Sequence, residues 1–134
     1  MEPILVDTSV WIDWFNGINT PQTNRVAVYL AANYPIWSTP TILQETLQGV
    51  REDHQFNLIK TSLLALDYFQ NEPTKMAIEA AALHRDLRKK GVTIQKPNDC
   101  LIAQYALRTN MTLLHNDVDF DKIASQTSLR ASRS

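Results

Sequence analysis

The sequence predicts an α/β protein, a three-layer α/β/α sandwich around a mostly parallel central sheet. Three observations carry that expectation. Short apolar runs recur at residues 4–6, 35–38 and 112–114. Segments with helical spacing of apolar residues lie between them, and strands alternating with helices are the pattern of a parallel sheet covered on both faces. The first run is apolar without alternation, as a strand buried on both faces should be.

Taken in order, Ile4, Leu5 and Val6 form the first strand. Thr8 is positioned to cap a helix in which Val10, Trp11, Trp14 and Phe15 recur at helical spacing, and Asn16-Gly17 ends it. A second helix is expected over 23–33, with Val26, Ala27 and Leu30 on one side, and a second strand at 35–38. Thr39-Pro40 is a strong helix start, because the hydroxyl can cap and proline suits the first helical position. Helices follow around 55–65 and 74–90, the latter stopping at Gly91, with a weaker strand signal at 66–69 between them. Lys96-Pro97-Asn98 opens another helix, striped by Ile102, Ala103, Ala106 and Leu107. Thr112, Leu113 and Leu114 form the last strand, followed by Asn116-Asp117 and a short helix through Ile123. The polar stretch SQTSLRASRS reads as a flexible tail from about residue 126.

A chain of 134 residues that is 44% hydrophobic suits one domain over 1–134, burying roughly two thirds of the surface its unfolded form exposes. No repeat, low-complexity block or linker interrupts it. The start lacks the basic residues and long apolar stretch of a signal peptide, and no segment is long enough to span a membrane. Cys100 is the lone cysteine, which excludes an internal disulfide and points to a core thiol in a reducing, cytoplasmic setting. The formal net charge of −1 does not suggest a nucleic-acid binder, but removing four carboxylates committed to a metal would leave +3.

Those four carboxylates are Asp7, Glu45, Asp99 and Asp117. In a parallel sheet, ligands gather beyond the carboxyl ends of the strands. Asp7 ends the first strand, Asp117 follows the last by a few residues, and Asp99 lies in the first turn of its helix, where free N–H groups favour an ionised acid. Glu45 falls at the margin of the Ile42, Leu43, Thr46, Leu47, Val50 stripe, where periodicity alone would leave it on the surface. Singly, each acid reads as a turn, cap or surface residue. Gathered in one pocket, they would repel by about 4 kcal/mol per close pair at an effective dielectric of about 20. A hard divalent cation resolves that conflict, and oxygen-only ligands select Mg²⁺ or Mn²⁺ over zinc.

The stretches LVDTSVWID, ILQETL, NDCLIAQYA and LLHNDVDF, in that order across nearly the whole chain, resemble the PIN domain and closely its bacterial VapC toxin branch. The resemblance implies a metal-dependent endoribonuclease with one or two Mg²⁺ or Mn²⁺ ions, its catalytic acids falling here on Asp7, Glu45, Asp99 and Asp117. It also implies inhibition by a small antitoxin and, commonly, a homodimer. Within that reading Asp7, Asp99 and Asp117 are the metal ligands and Glu45 serves a second ion or orients the attacking water. Asp119 is an alternative or additional acid beside Asp117. The sequence departs from the family pattern at Pro97, where a hydroxyl residue is common.

Ser9 and Asn116 are candidates to support the acids by hydrogen bonding. His115 is expected to end a strand and not to ligate a metal, given the all-oxygen donor set. Arg85, Arg88, Lys89 and Lys90, with Lys96 beyond, form a basic run that could follow an RNA backbone or simply face solvent. Trp11 and Trp14 suit the core or a dimer interface. Two other Asp-bearing folds fit less well. A haloacid-dehalogenase-type phosphatase needs a second acid where this chain has Ser9, and a receiver domain needs a mid-chain phosphoacceptor for which only Asp67 offers itself. Within the family, the alternatives are a housekeeping nuclease of RNA processing and an inactive RNA- or protein-binding module.

Overall fold

β1 (Ile4–Val6) is the middle strand of a five-stranded sheet in the computed structural model, which describes residues 1–134. Along the chain follow α1 (Thr8–Phe15), α2 (Pro21–Ala31), β2 (Ile36–Ser38), α3 (Pro40–Gln48), α4 (Asp53–Leu64), β3 (Asp67–Tyr68) and α5 (Pro73–Lys89). α6 (Pro97–Thr109), β4 (Thr112–Leu114), α7 (Val118–Gln126) and β5 (Ala131–Ser132) complete it. Strand order is β3-β2-β1-β4-β5, and every neighbouring pair is parallel.

That order decides where a site can lie. The chain builds from β1 through β2 to β3 on one side, then crosses back to lay β4 and β5 on the other. The reversal falls between β1 and β4, whose registers pair Ile4 with Thr112 and Val6 with Leu114. Connections leave these two strands in opposite directions, so a crevice opens beyond their carboxyl ends. Asp7 and Asp117 stand at its two lips.

Ile4, Leu5, Val6, Leu113 and Leu114 are all fully buried. Successive strand residues point to opposite faces, so complete burial of consecutive positions means that helices cover both sides of the sheet. Phe120, Ile102, Ile42, Leu63 and Leu87 bring the helices into one core with these strands. Trp11 joins it, stacked on Phe15 with ring centroids 5.8 Å apart, while Trp14 packs at the margin. Cys100 is buried in the same core, and burial pushes its thiol up to about 11, the state of an inert core thiol. No helix is long and apolar enough to cross a membrane.

Local chemistry accounts for the element ends. Thr39 caps α3, its Oγ1 accepting from the Ile42 N–H at 3.2 Å, with Pro40 in the first position. α2 starts at Pro21 under a reciprocal Thr20–Thr23 capping box, two residues before the expected start. α6 ends on Asn110 in the left-handed region (φ 52°), which asparagine tolerates. α1 departs from expectation in an informative way. Its N-cap is Asp7 and not Thr8, which frees the Thr8 hydroxyl for another partner.

Part of the stretch expected to be a flexible tail forms a strand. Residues 131–132 form β5, bonded to β4 through Leu113 N–H to Arg130 O (2.8 Å) and His115 N–H to Ser132 O (3.0 Å). Arg130 grips Glu2 at 2.8 and 2.9 Å, and Leu129 is buried. A polar sequence with no apolar run gives no local strand signal; the edge of β4 and one buried leucine supply the ordering instead.

Candidate active site

Asp7 is fixed by its backbone before its side chain acts. Its N–H donates to Leu114 O at 3.0 Å, tying the end of β1 to the end of β4. Its Oδ2 then accepts from the Ser9 N–H at 3.0 Å and from Ser9 Oγ at 2.6 Å, so the carboxylate that caps α1 also points into the crevice. Burial lifts its pKa to about 6, against the pull of the two Ser9 bonds, with Glu45 adding repulsion.

Asp99 reaches the crevice from the first turn of α6 and is 3% exposed. Its Oδ2 is buried without any hydrogen-bond partner. Burial first, then the facing charges of Asp7 and Asp117, raise its pKa to about 8. Asp117 caps α7 through Oδ1, which accepts from the Asp119 N–H at 2.9 Å. Burial works to raise its pKa, but the Lys96 ammonium and the Asp119 N–H outweigh it and hold the carboxyl below its usual value.

Asp119 belongs to the same group. Asp99, Asp117 and Asp119 each offer a carboxylate oxygen, all within 4.8 Å of one another, and Asp119 is the more buried of the α7 pair. The two-residue step from cap into first turn presents both Asp117 and Asp119 on one side. Asp7 stands outside that tight trio and faces it across Asp99.

Glu45 is brought in by a contact that helical periodicity does not reveal. Thr8 Oγ1 donates to Glu45 Oε1 at 2.7 Å, and Asn98 Nδ2 approaches Oε2 at 3.5 Å. The crevice thus has Glu45 and Asp7 at one end and the Asp99–Asp117–Asp119 trio at the other. Asn98 stands next to Pro97, the family-atypical residue, which takes the first position of α6.

The supporting residues meet each other as well. Ser9 Oγ, while donating to Asp7, accepts from the Asn116 N–H at 2.9 Å. His115 is fully buried, its Nδ1 accepting from the Asp117 N–H at 3.2 Å, and burial keeps its pKa below the ordinary value, so it is a neutral strand-end residue outside the acid group. Lys96 sits differently from the rest of the basic run: its exposed ammonium pairs with Asp117. Arg85, Arg88, Lys89 and Lys90 are exposed near the end of α5. Arg85 lines a shallow groove between α5 and α6 that also contains Asn98 and so adjoins the crevice.

The donor set fits a hard divalent cation. Only carboxylate oxygens converge, and one of them, Asp99 Oδ2, is buried with nothing to satisfy it. Asp7 and Asp99, two carboxyls with pKa values raised by burial and by neighbouring acids in one pocket, mark the crevice as a candidate functional site.

Comparison with known proteins gives the same frame. The PIN domain profile matches residues 4–126. A protein of Mycobacterium bovis named VapC ribonuclease Mb1587 is 32% identical over 131 residues, covering 96% of each chain. Ribonuclease VapC11 of Mycobacterium tuberculosis aligns to the same extent, at 32% identity. Among solved structures, DNA-bound VapBC from Salmonella typhimurium superposes with a TM-score of 0.76 at 19% identity, over 98% of both chains. VapBC2 from Rickettsia felis, bound to a DNA fragment from its promoter, gives 0.74 at 21% identity, again over 98% of both chains.

Proposed function

Because the chain belongs to the PIN domain family, within its VapC ribonuclease branch, we propose that it is a divalent-metal-dependent endoribonuclease acting as the toxin of a toxin–antitoxin pair. The observation that carries the chemistry is the convergence of acids at the β1/β4 switch point, with Asp99 Oδ2 buried and unpartnered among them. Asp7, Asp99 and Asp117 would hold Mg²⁺ or Mn²⁺, with Asp119 in reach as a further ligand. When bound, the ion activates water and neutralises charge on the scissile phosphate and the leaving oxygen. Asp7 needs its bond to Leu114 O and the two Ser9 bonds to keep its carboxylate aimed at that ion. Glu45, oriented by Thr8, would accept a proton from the attacking water. No side chain is required as a nucleophile. The exposed basic residues of α5 would guide the RNA backbone by neutralising phosphates.

A small antitoxin is the partner this reading brings with it, supported by structural relatives described as a toxin–antitoxin complex and as a member of the VapBC family of toxin–antitoxin systems. Beside Glu45, α1, α3 and α4 enclose a cleft of about 570 Å³ lined by Ile12, Phe15, Val50 and Ile59. An amphipathic segment laid in that cleft would end at the crevice, where a basic side chain could occupy the place of the metal.

The test is cleavage of RNA by the purified chain with Mg²⁺ or Mn²⁺, with and without chelator, beside Asp7→Asn. Metal-dependent cleavage that disappears in Asp7→Asn, with an unchanged circular dichroism spectrum, is expected. Cleavage that survives the chelator, or a near-normal rate in Asp7→Asn, rejects the mechanism. Expression in cells without a partner tests the toxin role: a catalytically active chain that leaves growth unaffected is not a toxin.

A further inference from the structure

β5 carries one side chain back to the acids. Its parallel pairing sets Ser132 beside Leu114, so the next residue, Arg133, arrives at the carboxyl end of β4 next to the loop that bears Asp117. Arg130, at the start of the same segment, lies toward the opposite end of the sheet, where it holds Glu2 and donates to Asn110 O at 2.8 Å.

The Arg133 guanidinium makes contacts in two directions. Nη2 and Nε donate to Asp121 Oδ2 at 2.6 and 3.0 Å, and Nη1 donates to Asn116 Oδ1 at 2.9 Å. From Asn116 the connection continues through its N–H to Ser9 Oγ at 2.9 Å, and from Ser9 Oγ to Asp7 Oδ2 at 2.6 Å. Asn116 Nδ2 also reaches Asp13 Oδ2 at 3.4 Å, so this residue is held from three sides. On the other side Asp121 Oδ1 lies 3.5 Å from Nε2 of buried His115, a proximity without a hydrogen bond, and His115 Nδ1 accepts from the Asp117 N–H. One guanidinium thus stands behind both the β1 acid and the β4 acid.

We propose that Arg133 is a positioning residue for the acidic crevice: by clamping Asn116 and Asp121 together it fixes the 115–117 loop against Ser9 and Asp7. This rests on the reading of Asp7 and Asp117 as metal ligands. The planar fork explains why arginine serves here, since a carboxylate and a side-chain amide are engaged at once by donors of fixed relative direction; a lysine ammonium offers no such pair. Residues that orient ligands in this way typically change metal affinity by about 10- to 100-fold when removed.

Arg130 supplies the control. Both arginines have side chains 44% exposed, both make an ion pair of more than one hydrogen bond, and both tether the same segment. Only Arg133 points to the crevice. Arg133→Ala, Arg133→Lys and Arg130→Ala are to be compared as full chains by amide hydrogen exchange in chelator and by calorimetric titration with Mn²⁺. In Arg133→Ala, exchange should quicken at the Asn116 and Asp117 amides and Mn²⁺ affinity should fall about tenfold. Arg130→Ala should change neither, and Arg133→Lys should resemble the alanine variant. Unchanged exchange in Arg133→Ala, or equal effects from Arg130→Ala, overturns the assignment. Should Arg133→Ala fail to fold, Arg133→Lys carries the same comparison. If the unaltered chain binds no Mn²⁺, the metal-dependent nuclease reading falls, and the clamp is judged by exchange alone.

Discussion

Thr8 lies one residue past Asp7 and gives its hydroxyl to Glu45, 37 positions away in sequence. A glutamate at the rim of an apolar stripe has many solvated rotamers, and one short bond from a rigid first turn selects the rotamer that faces the crevice. Thr8→Val keeps the shape and removes the donor. It is expected to lower kcat about tenfold with little change in thermal midpoint, and Thr8→Ser should restore most of the loss. Steady-state cleavage and a melting curve on the three proteins check this, and a wild-type rate in Thr8→Val removes Thr8 from the site. Asp7, Asp99 and Asp117 stand out in the sequence because each follows a strand or opens a helix, whereas Glu45, inside α3, reads from periodicity as a surface residue. The partners of these acids do not stand out. Thr8 reads as a cap, and the structure gives that task to Asp7. Asp119 reads as the weaker alternative to Asp117, although alternation between cap and first turn places both on one side. Arg133 lies in a stretch without any pattern, and only its folded position gives it meaning.

At the scale of the element, α3 and β5 show what local sequence can and cannot reveal. Thr39-Pro40 announces the start of α3, and the helix begins at Pro40 with Thr39 as its cap. That cap is wholly buried, so its loss strands the Ile42 N–H away from water. Thr39→Ala should therefore destabilise the fold by about 1 kcal/mol or somewhat more, measured as the urea midpoint, and should loosen the helix that carries Glu45. A midpoint equal to that of the unaltered chain counts against the cap. β5 lies at the other extreme. Ala131 and Ser132 have neither β-branching nor apolar alternation, and their strand exists because β4 offers an unpaired edge and two arginines fasten the segment. β3 is likewise reduced to two residues of the expected four, its register fixed by pairing with β2 and not by its own composition.

For the whole molecule, the acids make stability depend on pH and on cation. Asp99 has its pKa raised to about 8 in the folded protein by burial and by its acidic neighbours. Between about pH 4 and pH 8 the unfolded chain holds this carboxyl ionised while the folded chain keeps it protonated, so the folded state binds more protons and loses stability as pH rises through that window. Asp7, raised to about 6, acts in the same direction at lower pH. His115, whose pKa burial lowers, acts oppositely, but only below its ordinary value. In chelator, the midpoint of thermal unfolding should thus fall between about pH 6.5 and pH 8.5. Mn²⁺ should raise it, and by more at the upper end, because the cation binds the ionised acids. A midpoint that is flat or rising across that window in chelator, or a metal effect that shrinks with pH, contradicts the buried-acid account.

The reversal of strand order between β1 and β4 also has a consequence in time. β1 is synthesised before β4, and the neighbour that completes one lip of the crevice, residues 112–114, leaves the ribosome more than a hundred residues after it. Until then one edge of β1 has no strand to pair with, and Asp7 lacks both the Leu114 carbonyl that fixes its backbone and the Asn116 amide that fixes Ser9. Contacts so distant along the chain close late, since the entropy of the intervening loop opposes them. A growing chain therefore carries Asp7 long before it can use it, and the ribosome making an RNA-cutting protein is spared the finished crevice until β4 and the loop after it have been made.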